Sequence, residues 1–275
     1  PTQMLNLGVH PQFHMEGPLS SAYNRWFTEQ ILASDKNLGS MVYLPFGDPD
    51  LAMRMVEEYA DNESVIGYMV TSVRQKPVHH NQFMKLYGLV QEVGKPLGFH
   101  AGYYWNDEWM SQVNQFGAMH ALSFVWCNVV NMTNWVWNGL SEKFPDLKTI
   151  WIESGLAWVP WLMQRLDHTY LMRTSEAPLL KRLPSEYMRE MFYTSQPLET
   201  DHQKALETTF DMIDAPNSLL YASDWPHWDF DTPGVIWDMP FLSEEDKRKI
   251  LGLNAAKLFG LKVPENKLGV AAAAE

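Results

Sequence analysis

Six times between residues 40 and 223 a short apolar run gives way to a helical pattern, and this alternation leaves few folds open to the chain. The strand-like runs are residues 40–44 (SMVYL), 64–71 (SVIGYMVT), 96–100 (PLGFH), 147–153 (LKTIWIE), 191–194 (MFYT) and 218–223 (SLLYAS). Helical patterns fall between them. They run over 48–59 behind Asp48-Pro49-Asp50, over 81–93 with Gly94 as the stop, and over 128–143, 158–168 and 200–213. Two more helices are predicted after the last run. One covers 243–251 behind the capping residues Ser243-Glu244-Glu245-Asp246, the other 254–259. Strands that alternate with helices pair in parallel through right-handed crossovers. The fold class is therefore α/β, with a parallel sheet. A closed barrel needs eight such units. The count here is six, and the shortfall falls on residues 1–35, which read as loop and helix with a remnant strand near 4–9.

The chain has no internal repeat and no long linker. Residues 1–262 read as a single, partial barrel domain and 263–275 as a tail, of which 269–275 (GVAAAAE) is low in complexity. An apolar fraction of 46% is enough for a sizeable core and excludes intrinsic disorder. Thirty-three acidic against 21 basic residues give a net charge of -12, which repels phosphate backbones and anionic membranes. Neither a nucleic-acid partner nor a membrane is expected, and no apolar run is long enough to cross one. The one cysteine, Cys127, excludes an internal disulfide framework and fits a reducing, cytoplasmic setting. The opening Pro1-Thr2-Gln3-Met4 has no initiator Met, so the chain is expected to begin inside a longer protein.

In parallel α/β barrels the reactive groups sit at the C-terminal ends of strands. His100, Glu153 and Asp224 end or follow three of the runs. Together they would suit a divalent metal of hard-to-borderline character. Each alone has a plainer reading: His100 as a core histidine, Glu153 in a buried salt bridge, Asp224 as the cap of a turn. Their coincidence at strand ends weighs more than any one. His120, in a segment read as loop, is a candidate ligand or proton shuttle. His227 and Asp229 could orient Asp224 or meet substrate. The pair His79-His80 reads as a solvated loop, the pair Trp135 and Trp137 as core, and Pro11 disfavours a helical His10–His14 pair. Ser195 and Cys127 lack a base nearby in sequence, so a nucleophile role has little weight.

The stretches LPFGDP (44–49), GKPLGFHAG (94–102), residues 139–148 closing in FPDLK, YASDWPH (221–227), and ILGLNAA with LFGL (250–261) together resemble the amidohydrolase superfamily. The branch is the amidohydrolase-related one that includes aminocarboxymuconate-semialdehyde decarboxylase. The resemblance runs from about residue 24 to 262 and rests on the order and spacing of the motifs. It implies a (β/α)8 barrel with one divalent metal ion, zinc first, with manganese or iron also suited. It implies that His100 is the metal-binding His after the family's fifth strand. Asp224 would be the metal-binding Asp after the eighth, and also the base toward water. Two departures stand out. The family's His-x-His pair of the first strand has no match here, and Glu153-Ser154-Gly155 stands where His-Gly-Gly is common. In members with that text, Glu153 and His120 would face the metal or the substrate.

The expected activity is metal-dependent hydrolysis of a small, partly aromatic molecule. Asp224, His120 and Glu153 would be catalytic, His100, Asp224 and Glu153 metal-binding, and Tyr103, Trp105 and His227 substrate-binding. Non-oxidative decarboxylation of an aromatic or enoic acid at the same site is the alternative; a buried Arg would favour it, with Arg165 and Arg173 as candidates. A non-catalytic subunit of a split barrel is the third. A barrel lacking strands exposes two long edges, so a homo-oligomer or a second chain supplying the first strands is expected to cover them.

Overall fold

The computed structural model describes residues 12–71, 76–102 and 107–263. The six apolar runs become six parallel strands, β1 (Ser40–Tyr43), β2 (Val65–Thr71), β3 (Leu97–His100), β4 (Thr149–Ile152), β5 (Phe192–Thr194) and β6 (Leu219–Leu220). Their order in the sheet is their order in the chain. Helix α1 (Glu16–Trp26) precedes them. Then α2 (Pro49–Tyr59) follows β1, α3 (Met84–Val93) follows β2, and α4 (Phe116–Trp137) with the short α5 (Leu140–Lys143) follows β3. After β4 come α6 (Trp158–Met172) and α7 (Pro184–Arg189), after β5 α8 (Gln203–Ile213) and α9 (Ala215–Ser218). The closing helices are α10 (Gly234–Trp237), α11 (Glu244–Arg248) and α12 (Asn254–Phe259). No helix among the described residues is long and apolar enough to cross a membrane. The strand expected near 4–9 lies outside the described residues, as does the tail from 264 on.

Local chemistry sets the helix ends. The Asp48 carboxylate accepts the Leu51 N–H at 3.0 Å while Pro49 occupies the first turn of α2. Gly94 ends α3 at φ 75°, where a side chain would be strained. The outward faces of the strands carry Val42, Tyr68, Val70, Phe99, Trp151 and Tyr193, all buried against the helix layer. There Phe99 stacks on Trp151 at 4.9 Å and meets the edge of Trp135 from α4. Trp135 is thus core, as expected.

The helix predicted over 128–143 begins twelve residues earlier than expected, at Phe116, and breaks at Gly139 (φ 65°). His120 is therefore helical, not in a loop. The cause is compositional: α4 has no charged residue, and its solvent face carries Leu122, Trp126 and Val130. With apolar residues all round, the pattern has no period to read.

The sheet edges expected to be bare are in part satisfied from within the chain. On the outer edge of β1, Asn24 of α1 donates to the Tyr43 carbonyl (2.8 Å) and accepts the Tyr43 N–H (3.1 Å). One amide side chain satisfies both backbone groups, as a neighbouring strand would. On the outer edge of β6, Asn254 donates to the Leu219 carbonyl at 2.9 Å, and the Tyr221 N–H bonds the Ile250 carbonyl at 3.0 Å. Buried backbone groups must find partners, and here side chains and a helical segment supply them.

Candidate metal centre

Parallel strands open their C-terminal ends on one side, and the site forms there. His100 is the last residue of β3, Glu153 follows β4 directly, and Asp224 lies in the loop after β6. All three, with His227, line a cavity of about 550 Å³ that reaches along the inner face past Met41 and Met69 to Gly39 and Ser40. Both carboxylate residues leave the extended conformation abruptly, Glu153 at φ 55° and Asp224 at φ 56°. For residues with a Cβ this left-handed region is costly and is found where surroundings enforce it.

Ligand atoms of Glu153, Asp224 and His227 all lie within 4.8 Å of one another. His227 Nδ1 is 2.6 Å from Asp224 Oδ2, so the two side chains are paired. His100 joins from the other side, its Nε2 2.8 Å from Glu153 Oε2 and its Nδ1 2.5 Å from the Ala101 carbonyl. That carbonyl requires a proton on Nδ1. Nε2 and the Glu153 carboxylate are then both acceptors unless a cation lies between them, either a proton or a metal ion.

The electrostatics agree. Burial pushes the His100 imidazolium toward losing its proton, but the Glu153 charge and hydrogen bond outweigh it, and the pKa is raised. Asp224 is raised to about 6, first by burial and then by the facing Glu153 carboxylate. Among the described lining residues of the cavity there is no Lys or Arg to offset these acids. Glu153, Asp224 and His227 come close enough to share one divalent ion of hard-to-borderline character, and His100 adjoins them through Glu153.

His120 lies 3.3 Å from Asp229 through Nε2 and stacks obliquely on Trp228 at 5.1 Å. With Phe124 and Val125 it walls a side chamber of about 220 Å³, which Glu153 also lines. Tyr103 and Trp105, expected to bind substrate, lie outside the described residues, as does His10. Arg165 and Arg173 are exposed on and after α6, and Arg173 pairs with Glu176, so neither is the buried carboxylate-binding Arg that was sought. Ser195 is buried and its hydroxyl is bonded to the Ala222 backbone, a structural role.

Sequence reasoning missed three side chains around Glu153: Asn128, Thr194 and Glu199. Asp229, read as orienting Asp224 or meeting substrate, pairs with His120. Thr194 ends an apolar run and offered a signal by position; Asn128 and Glu199 offered none.

A family model described as amidohydrolase matches residues 12–261, and the chain belongs to that family. A gamma-resorcylate decarboxylase of Polaromonas sp. JS666 is 26% identical over 261 residues, covering 86% of this chain and 75% of that one. Among solved structures, a dihydroxybenzoic acid decarboxylase from Polaromonas sp. JS666, with bound manganese and 2-nitroresorcinol, superposes with a TM-score of 0.76. It is 22% identical, over 96% of this chain and 81% of that one. A 5-carboxyvanillate decarboxylase from Sphingomonas paucimobilis gives 0.75 at 22% identity, over 92% and 77%. The fold is the α/β, TIM-barrel type of the amidohydrolases.

Proposed function

We propose that this amidohydrolase-family chain is a metal-dependent decarboxylase of a small aromatic or enoic acid, acting in the cavity between β3, β4 and β6. This reverses the order expected from sequence, where hydrolysis came first. One observation carries it: a four-residue acid and imidazole group at the strand ends of a chain whose curated relatives are aromatic-acid decarboxylases.

His100, Glu153, Asp224 and His227 would hold one divalent ion; manganese, the ion bound in the Polaromonas structure, is the first choice proposed, with zinc and iron behind it. When bound, the ion supplies the positive charge that fixes an anionic substrate oxygen. Asp224 Oδ2 and His227 Nδ1 lie 2.6 Å apart, and this pair delivers a proton to the carbon that bears the carboxylate. The bond from that carbon to the carboxylate then breaks. Its electron pair stays on the carbon skeleton and carbon dioxide leaves. The balance is acid anion plus proton to carbon dioxide plus a new C–H bond. His120, held by Asp229 beside the side chamber, exchanges protons with solvent. Phe124 and Val125 offer the substrate an apolar wall, and Tyr103 and Trp105 remain proposed substrate contacts.

Hydrolysis keeps one observation in its favour, the lack of Lys or Arg among the described lining residues to hold a carboxylate. There Asp224 would take a proton from the attacking water, and His120 or Glu153 would return it to the leaving group. The deciding experiment incubates manganese-loaded protein with hydroxybenzoic acids and with aryl esters and amides. Carbon dioxide formed in equal amount with the decarboxylated ring supports the proposal; hydrolysed ester or amide with no carbon dioxide overturns it. A single barrel domain over 1–262, a homo-oligomer in solution and a cytoplasmic setting complete the proposal. Sedimentation velocity reads the oligomer.

A further inference from the structure

Glu153 is held by three neighbouring elements at the point where its strand stops. The β4–β5 ladder pairs Ile150 with Phe192 and Trp151 with Tyr193. Beyond it Glu153 turns left-handed, and its N–H meets the Thr194 hydroxyl oxygen at 3.0 Å. A side chain thus continues the ladder that the backbone can no longer make. Asn128 of α4 donates to the Ile152 carbonyl (3.2 Å) and to Ser154 Oγ (3.0 Å), one residue to either side of Glu153. Two residues past Ser154, the Leu156 N–H donates to Glu199 Oε2 at 3.1 Å. The Glu199 carboxylate fills the space that a Cβ on Gly155 would need, and Gly155 itself is left-handed at φ 65°. A left-handed residue bearing a side chain is costly unless its surroundings enforce it. Here Thr194 and Glu199 hold the turn at its beginning and its end, both from β5 and the loop behind it.

We propose that Thr194 and Glu199 are positioning residues that lock Glu153 in its left-handed turn and thereby set the divalent-metal affinity of the site. Neither is among the four side chains that would hold the ion. The inference rests on the metal-site reading above, and its test separates the two.

The probe is Mn²⁺, titrated into the intact chain and followed by the loss of its free electron-paramagnetic-resonance signal. Amide hydrogen exchange over residues 153–156 of the metal-free protein is the second readout. Thr194→Val removes the acceptor at nearly constant shape, and Thr194→Ser restores it. Glu199→Ala removes the other acceptor, and Glu199→Gln retains one. The expected result is Mn²⁺ binding weakened about tenfold or more in Thr194→Val and Glu199→Ala, with faster exchange at Glu153 and Leu156. Thr194→Ser and Glu199→Gln keep the parent's values. Folded Thr194→Val or Glu199→Ala with the parent's Mn²⁺ affinity overturns the inference, even if exchange is faster. Should Thr194→Val not fold, the Glu199 pair decides by the same criterion. If the parent takes up no Mn²⁺, the metal-site reading fails. The exchange data then decide the positioning role, and unchanged exchange in both variants overturns it.

Discussion

His100 Nε2 lies 2.8 Å from Glu153 Oε2, across the adjacent strands β3 and β4, with the other imidazole nitrogen already committed to the Ala101 carbonyl. Two residues more than fifty positions apart in the chain, both expected at the strand ends, thus share one cation position. Everything the site is proposed to do depends on what lies between them.

Metal and protons should compete there. Asp224 is raised to about 6, by burial first and by Glu153 second, and His100 is raised as well. A raised pKa means that the proton is held to higher pH, so an entering ion must displace it. Mn²⁺ affinity should therefore climb as pH rises through 6 and level off once His100 has also lost its proton. Calorimetric isotherms across this range check it, and a flat profile contradicts the site.

Asp224→Asn keeps the shape of the side chain and removes its charge and its proton. Turnover should fall at least about a hundredfold, with the circular-dichroism spectrum and melting profile close to the parent's. A variant that stays active would end the role assigned to Asp224.

Asn24→Leu leaves the outer N–H and C=O of Tyr43 without partners on a buried strand edge. The cost should be about 1–3 kcal/mol in urea unfolding, with a rise in self-association through β1. Unchanged stability would mean that Asn24 does not seal the edge.

Glu16 gives a pH-dependent stability of known sign. Its carboxylate is buried and accepts from the Tyr43 hydroxyl (2.5 Å) and the Gly47 N–H (2.9 Å), yet burial still outweighs these bonds and raises its pKa above the ordinary 4.5. A raised carboxyl contributes stability that is complete below 4.5 and is lost as pH rises through its folded value. Glu16→Gln should therefore gain on the parent as pH increases over that window. Urea titrations at a series of pH values measure the difference, and a constant gap between the two proteins would refute it.

The strand–helix order was legible because it rests on local chemistry. Residues 96–100 read as a strand, and β3 is Leu97–His100; Asp48 caps and Gly94 stops the helices they were expected to bound. The helix through His120 was not legible, because α4 presents apolar residues to solvent as well as to the core. His100, Glu153 and Asp224 could be picked out since parallel strands must all open their C-terminal ends on one side. That rule places a residue at the mouth but does not give its partners. Hence His227 was seen beside Asp224, while Thr194 and Glu199 behind Glu153 went unnoticed.

The sequence by itself determined the parallel sheet, its six strands in chain order, and the acid and imidazole residues at its mouth. These follow from periodicity and from connection rules that act over short spans. Only the tertiary structure decided what the polar stripe Glu16, Ser20, Asn24 and Thr28 is for. Spaced four residues apart, all four are buried; Glu16 and Asn24 bond Tyr43 at β1, while the Ser20 and Thr28 hydroxyls bond carbonyls of their own helix. A sheet edge needs hydrogen-bonding groups in place of apolar ones, so the hydrophobic pattern that marks a buried helix face is inverted there. Nothing in a one-dimensional pattern can announce that inversion, because it depends on which backbone groups the helix happens to meet.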